Sequence, residues 1–363
     1  MTIQDQVLSS RLNGILLPLA AMKTAQDWGV GDFASLREWV AFFAKQGAKI
    51  VQILPLQETA PGENCPYSAL SAFATDPVYA DISDVYDVQN SPEAQAYVSS
   101  LTDKIREWNA APRAPFFAVK QAKLKALWLG YKHFLQTEAA VRSARFLAFE
   151  AYQASQSGWL KGYVLFRALK EFYKWQTWTA WPKDLKNFVP SAVHAFHTQY
   201  REYVDFFAYV QWVLDLQLRR TKTFAQEQGV LIFGDIPFGT NLDSAEVWSE
   251  RENYRLGYEI GAPADQFSKG GQRWGLPAYD WPYQHTHNLD LWRRKIRRVT
   301  ELYDLFRLDH LVGFFRTYVF APGDEHGCFD VEGEQNQIDR GYSFLRMVLN
   351  EAHGKLPVGE DLG

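Results

Sequence analysis

Apolar residues change their spacing twice along this chain. Near the N-terminus they come in short unbroken runs, Gly14-Ile15-Leu16-Leu17-Pro18-Leu19 and then Lys49 to Leu54 (KIVQIL), the second stopped by Pro55. Runs of this length predict buried strands. Between them Leu36, Trp39, Val40 and Phe43 recur at helical spacing, with Asp32 placed to cap the helix and Gly47 to end it. Strand, helix and strand in that order predict a right-handed parallel crossover. Gly29-Val30-Gly31 is half of a dinucleotide fingerprint, but it follows no adjacent strand and lacks the third glycine. It is read as a turn leading into the cap.

From about Asp87 to Gln228 the pattern turns helical. Lys120–Leu135, Gly162–Trp175 and Tyr200–Gln226 carry aromatic-rich helical periodicity and few strand signals, which predicts a helical insertion. The short runs then return. Gly229 to Asp235 is a strand ending in a carboxylate, and Trp248 to Trp281 reads as a long loop rich in Gly, Pro and aromatics. Residues 290–304 form a basic helix with Arg293, Arg294, Lys295, Arg297 and Arg298; interleaved Trp292, Ile296 and Val299 favour a solvated helix face over a phosphate or nucleic-acid site. Tyr303–His310 is the next strand, a helix follows over about Arg340–Glu351, and Leu356–Glu360 is the last strand. The chain divides into residues 1–86, a helical insertion over 87–228, and 229–363, where the strand–helix alternation continues.

Composition narrows the function. A formal net charge of −4 and a pI near 6.1 give no electrostatic reason to expect nucleic acid or an anionic membrane. Two cysteines, Cys65 and Cys328, make neither a disulfide framework nor a zinc pair. No apolar stretch approaches the ~18 residues of a membrane span, and Met1–Ser10 lacks signal-peptide features, so a cytoplasmic location is expected. No motif implies a metal or an organic cofactor. The 13 Trp, 18 Tyr and 25 Phe fit a large aromatic core, or rings that stack on sugars; composition does not separate the two.

Candidate chemistry sits where parallel strands end. Three strand ends carry Asp235, Asp309 and Glu360. One such acid reads as a helix cap, but three on successive strands suggest a pair of carboxylates flanking a glycosidic bond. Arg307, two residues before Asp309, shares its face of the strand. The expected proton order is therefore a low-pKa Asp309 beside Arg307 and a raised Glu360 at the end of an apolar strand. A structural ion pair between Arg307 and Asp309 is the alternative. The stretch from Gly261 to Gly275 places Asp265, Gln272 and Trp274 between tight glycines, a set able to bind hydroxyls and stack on a ring.

Together these stretches resemble glycoside hydrolase family 77, the amylomaltases and plant disproportionating enzymes. The resemblance runs through RLNGILLPL (Arg11–Leu19), VQILPL (Val51–Leu56), Cys65-Pro66-Tyr67-Ser68-Ala69, Gly234-Asp235-Ile236-Pro237, GAPADQFSKGGQRWGLPAYDW (Gly261–Trp281), Phe306-Arg307-Leu308-Asp309-His310 and Gly359-Glu360-Asp361-Leu362-Gly363. It implies a (β/α)8 TIM barrel of the α-amylase type interrupted by the helical insertion, and 4-α-glucanotransferase activity on α-1,4-glucans and maltooligosaccharides. It implies Asp309 as nucleophile and Glu360 as general acid/base. Arg307, His310 and Asp235 would lie at the cleavage point and Tyr67 on the donor sugar, with Asp265, Gln272 and Trp274 in a covering loop. Cys65 stands where the family commonly has Ser, and Ala264 where it has Pro. The family's further carboxylate, on a seventh strand, has no counterpart before Gly363. The expectation is thus a barrel truncated after about the fifth strand, a fragment without significant activity alone. The rival readings are an α-amylase-like hydrolase and a non-catalytic glucan-binding relative.

Overall fold

The computed structural model describes residues 3–360 apart from 64, 265 and 267 and the side chains of Gln4 and Gln6. Nine strands are found among the described residues: β1 (Gly14–Leu17), β2 (Ile50–Ile53), β3 (Leu231–Ile236), β4 (Tyr254–Ala262), β5 (Gln272–Tyr279), β6 (Leu305–Leu308), β7 (Tyr318–Phe320), β8 (Cys328–Phe329) and β9 (Leu356–Gly359). Five of them form a parallel sheet in the order β1-β2-β3-β6-β9, each strand laid beside the one before it. These are the five apolar runs of the sequence, shortened at their ends except that β3 runs one residue further, to Ile236. The chain is an α/β protein with a parallel sheet.

The first crossover shows why the local sequence folds this way. Asp32 accepts the Ser35 N–H at 3.1 Å and starts the helix Phe33–Lys45, which buries Phe33, Leu36, Val40 and Phe43. Gly47 ends it at φ +88°, where a side chain would be strained. Gly31, just before the cap, is needed for room: a Cβ there would lie 2.2 Å from the Leu19 carbonyl oxygen.

Between β2 and β3 the chain is helical, with main segments Phe116–Phe134, Ala144–Ser155, Ser157–Phe172 and Arg201–Glu227. Aromatics fill the interior of this region: Phe134 packs on Phe149, Tyr209 and Trp212 at ring distances of 5.3–5.7 Å. The long helix Arg201–Glu227 packs on Phe33–Lys45, Ser157–Phe172 and β3, joining the helical region to the sheet. Glu58, on the loop after β2, is fully buried and binds Arg167 Nε at 2.9 Å and the Tyr163 hydroxyl at 2.5 Å.

Two expectations need correction. The loop read over Trp248–Trp281 contains the β4–β5 hairpin, part of an antiparallel sheet ordered β5-β4-β7-β8. Register shifts between Arg255 and Glu259 and between Ile260 and Gly261 break the two-residue alternation that would have revealed it. Gly261 looks like a loop residue, yet it sits in the ladder, and the position requires glycine because a Cβ would meet the Gln272 carbonyl oxygen at 1.9 Å. The basic helix, Asp290–Leu302, presents a solvated face only in part: Asp290 and Arg297 are exposed, but not every cation faces water. Arg298 and Lys295 are buried; Arg298 pairs with Asp215 at 2.5 Å, Arg293 and Arg297 with Glu351 at 2.5 and 2.6 Å, and Arg294 with Glu250. Cations at positions 293, 294, 295, 297 and 298 spread over about 200° of the helix circumference, wider than one solvated face, so some had to face neighbours. Among the described residues no helix is long and apolar enough to cross a membrane.

Candidate active site

Three neighbouring strands deliver their carboxylates to one guanidinium. Asp235 lies within β3, in register with Arg307 of β6. Asp309 and Glu360 stand one residue beyond β6 and β9, held by a last backbone bond each, Asp309 N–H to Ile236 O at 3.2 Å and Glu360 N–H to Leu308 O at 3.1 Å. Arg307 Nη1 lies 3.0 Å from Asp235 Oδ2 and 2.8 Å from Asp309 Oδ1, and Nη2 lies 2.5 Å from Glu360 Oε1. The alternative of a simple Arg307–Asp309 ion pair therefore falls short: the cation is shared among three acids.

The turn after Asp309 adds a second link. His310 adopts φ +47°, uncommon outside glycine, and its N–H donates to Glu360 Oε2 at 2.6 Å. The Tyr67 hydroxyl donates to Asp235 Oδ2 at 2.7 Å, and the Phe238 N–H approaches Asp309 Oδ2 at 3.4 Å. Trp274 meets the His310 ring edge-on at 4.9 Å. Gln272 opens β5 as an exposed residue, its Oε1 3.4 Å from Trp274 Nε1, with no contact to the three acids. Asp265 lies outside the described residues. The structure thus gathers Tyr67, Asp235, Arg307, Asp309, His310 and Glu360 directly and Trp274 through His310.

Protonation runs opposite to the sequence expectation. Asp309 is pushed up, because loss of water outweighs Arg307 and the Phe238 N–H, and Glu360 adds repulsion. Glu360 also loses water, but the His310 N–H and Arg307 outweigh that and hold it below the usual carboxylate range. Desolvation takes Asp235 to about 6 against the hydrogen bond from Tyr67 and the charge of Arg307. Burial lowers His310. Sequence spacing placed Arg307 beside Asp309 alone; it did not show that Arg307 and a backbone N–H would also serve Glu360.

Sequence reasoning missed the residues that hold the site from behind. Phe238 directly follows the quoted Gly234–Pro237 segment and packs on His310 at 5.2 Å. Glu246 is buried and accepts from Ser71 Oγ at 2.6 Å and the Ala72 N–H at 3.0 Å, pinning the loop that carries Tyr67. Neither carried a motif signal of its own. Desolvation raises Glu246 from 4.5 to about 7 against those two hydrogen bonds. An acid whose folded-state pKa exceeds its unfolded value keeps its proton longer in the fold, so ionising it as pH rises from 4.5 to 7 costs stability. Glu246→Gln escapes that cost. Chemical denaturation at both ends of this window is expected to show the variant gaining about 3 kcal/mol on the wild type as pH rises; a pH-independent difference would overturn it.

Comparison with known proteins shows the family and the fold. Residues 17–363 match the model of glycoside hydrolase family 77, described as 4-alpha-glucanotransferase. The 4-alpha-glucanotransferase of Chlamydia caviae is 30% identical over 354 residues, covering 97% of this chain and 64% of the relative. That of Thermus thermophilus is 31% identical over 344 residues, covering 93% and 65%. The chain thus spans just under two thirds of the length of these relatives. Among solved structures, the amylomaltase of Streptococcus agalactiae in complex with acarbose superposes with a TM-score of 0.81 at 24% identity, over 98% of this chain and 69% of that one. The amylomaltase of Corynebacterium glutamicum gives 0.82 at 22%, over 99% and 49%. By the family match and the shared fold, the chain belongs to glycoside hydrolase family 77, the 4-alpha-glucanotransferase family.

Proposed function

We propose that these residues perform 4-α-glucanotransfer: a segment of an α-1,4-glucan moves to the 4-hydroxyl of glucose or of another glucan, with retention. The observation that carries the reading is the pair Asp309 and Glu360, at the ends of adjacent parallel strands and bound by the two Nη atoms of one guanidinium. Retaining pairs lie about 5–5.5 Å apart, and a shared guanidinium suits so close a pair. The relatives named 4-alpha-glucanotransferase support the substrate class.

In the first half-reaction the Asp309 carboxylate attacks the anomeric carbon, the glycosidic C–O bond breaks, and Glu360 gives its proton to the departing oxygen. In the second, Glu360 takes the proton of the acceptor 4-hydroxyl, whose oxygen displaces Asp309. Two inversions give retention. Glu360 must enter the first step protonated, whereas without substrate it is held low. A glucan ring over the site expels water from Glu360 and raises it, which is the direction required. Tyr67 stacks on the donor sugar, Asp235, Arg307 and His310 contact it at the cleavage point, and Asp265, with Gln272 and Trp274 on β5, shapes the part of the chain that covers the bound glucan. We assign the sheet to a (β/α)8 barrel of which residues 1–86 and 229–363 form part, with 87–228 inserted. The exposed, unpaired Cys65 and Cys328 favour a reducing cytoplasm.

The whole protein, incubated with maltotriose, is expected to give glucose together with chains longer than maltotriose. Chromatography of the products checks this. Glucose with no chain longer than the substrate would replace transfer by hydrolysis; an acceptor held in place outcompetes water only if it is well positioned.

A further inference from the structure

Four lysines are buried among the described residues, and three of them meet a carboxylate: Lys120 with Asp76 at 2.6 Å, Lys123 with Asp32 at 3.0 Å and Lys170 with Asp243 at 2.5 Å. Lys295 differs. Among the described residues it has no ion pair; its ammonium lies 3.7 Å from the centre of the Trp292 ring and donates to the Pro237 carbonyl oxygen at 3.1 Å. A buried ammonium without a counter-ion is costly. The peptide it binds is the one whose other end faces Asp309, since Pro237 C=O and Phe238 N–H belong to a single amide, and that N–H approaches Asp309 Oδ2 at 3.4 Å. In a trans peptide the two groups point in opposite directions, so one rigid plane joins the cation to the acid.

We propose that Lys295 is a positioning residue for Asp309: it clamps and polarises the Pro237–Phe238 peptide so that the amide N–H is presented to the Asp309 carboxylate. A cation on the carbonyl strengthens the N–H as a donor. The catalytic meaning rests on Asp309 being the nucleophile, as proposed above; the physical link does not. Asp309 also faces Arg307, Asp235, Glu360, Tyr67 and His310, while Glu246 is the carboxylate whose charge favours Lys295 most. Burial brings Lys295 down to about 7 against Glu246 and Asp309, so the clamp loses its charge above neutrality.

The sequence makes the test selective. Within residues 1–363 Pro–Phe occurs twice, Pro115–Phe116 and Pro237–Phe238, so carbonyl-labelled proline with nitrogen-labelled phenylalanine gives two amide signals in NMR from this stretch, one of them a reference. The Phe238 signal of the wild type is expected to titrate in two steps, one with Asp309 and one near pH 7 with Lys295. Asp309→Asn should remove the first step. Lys295→Met, nearly isosteric, should remove the second and move the first upward by roughly half a unit or more. A single-step or silent Phe238 signal in the wild type overturns the proposal, whether or not the Met variant folds. So does a folded Lys295→Met with an unmoved first step. Trapping with an activated fluoroglycoside, read by mass spectrometry, tests Asp309 as nucleophile separately; its failure would leave the peptide link standing.

Discussion

Asp309→Asn in the whole protein is expected to lower transfer from maltotriose by on the order of 10³-fold or more, the scale of losing one member of a concerted catalytic set. Asn is close in shape and keeps an oxygen for Arg307, so the fold should survive, with a melting temperature near the wild type's. What disappears is the anion that forms the bond to the anomeric carbon. The loss should fall on kcat, with KM little changed, because the remaining sugar contacts are untouched. Asp309 also repels the charge on Asp235, so Asp235 should titrate lower in the variant. Steady-state kinetics on folded protein decides the matter, and a variant within tenfold of the wild type would remove Asp309 from the nucleophile's role.

The second large effect concerns stability. Arg167→Met leaves Glu58 fully buried without its cation, since Arg167 Nε is its ion-pair partner at 2.9 Å and both side chains are shut off from solvent. Removing one member of a buried pair costs about 3–5 kcal/mol. The guanidinium also packs between Trp175 and Phe207 at 4.6 and 4.7 Å, and Met replaces part of that contact. The measurement is urea unfolding, with Glu58→Gln/Arg167→Met beside it. The double variant is expected to recover much of the loss, because the stranded charge is gone. A single variant within 1 kcal/mol of the wild type would show that Glu58 finds another partner or a proton. Glu58 also shares backbone hydrogen bonds with Ala74 and Leu70, so the damage should spread to the loop that carries Tyr67.

These residues show where sequence reading works and where it stops. The parallel strands were legible as short apolar runs, most plainly the central Leu231-Ile232-Phe233, which is covered on both faces. Asp32 and Gly47 were legible because capping is local. The β4–β5 hairpin was not, because its glycines and shifted register hide its alternation. Burial of Arg298 depends on Asp215, 83 residues earlier, and no spacing rule reaches that far. The same limit applies at the site. Asp235, Asp309 and Glu360 could be picked out as acids at strand ends, but their proton order depends on which donors converge on each carboxylate. Lys295 was visible only as one of a basic cluster, and its distinction appeared once its neighbours were found.

His310, with its left-handed backbone, ties Glu360 to the turn that begins at Asp309. A shift of that turn would therefore pass to both acids through the His310 N–H bond to Glu360, a common-mode displacement that favours a constant gap between them. A sheet that flexes can in this way keep a fixed cutting distance without being stiff everywhere. The tolerance is bought at one peptide: a residue unable to hold the left-handed conformation at position 310 would let the two acids drift independently.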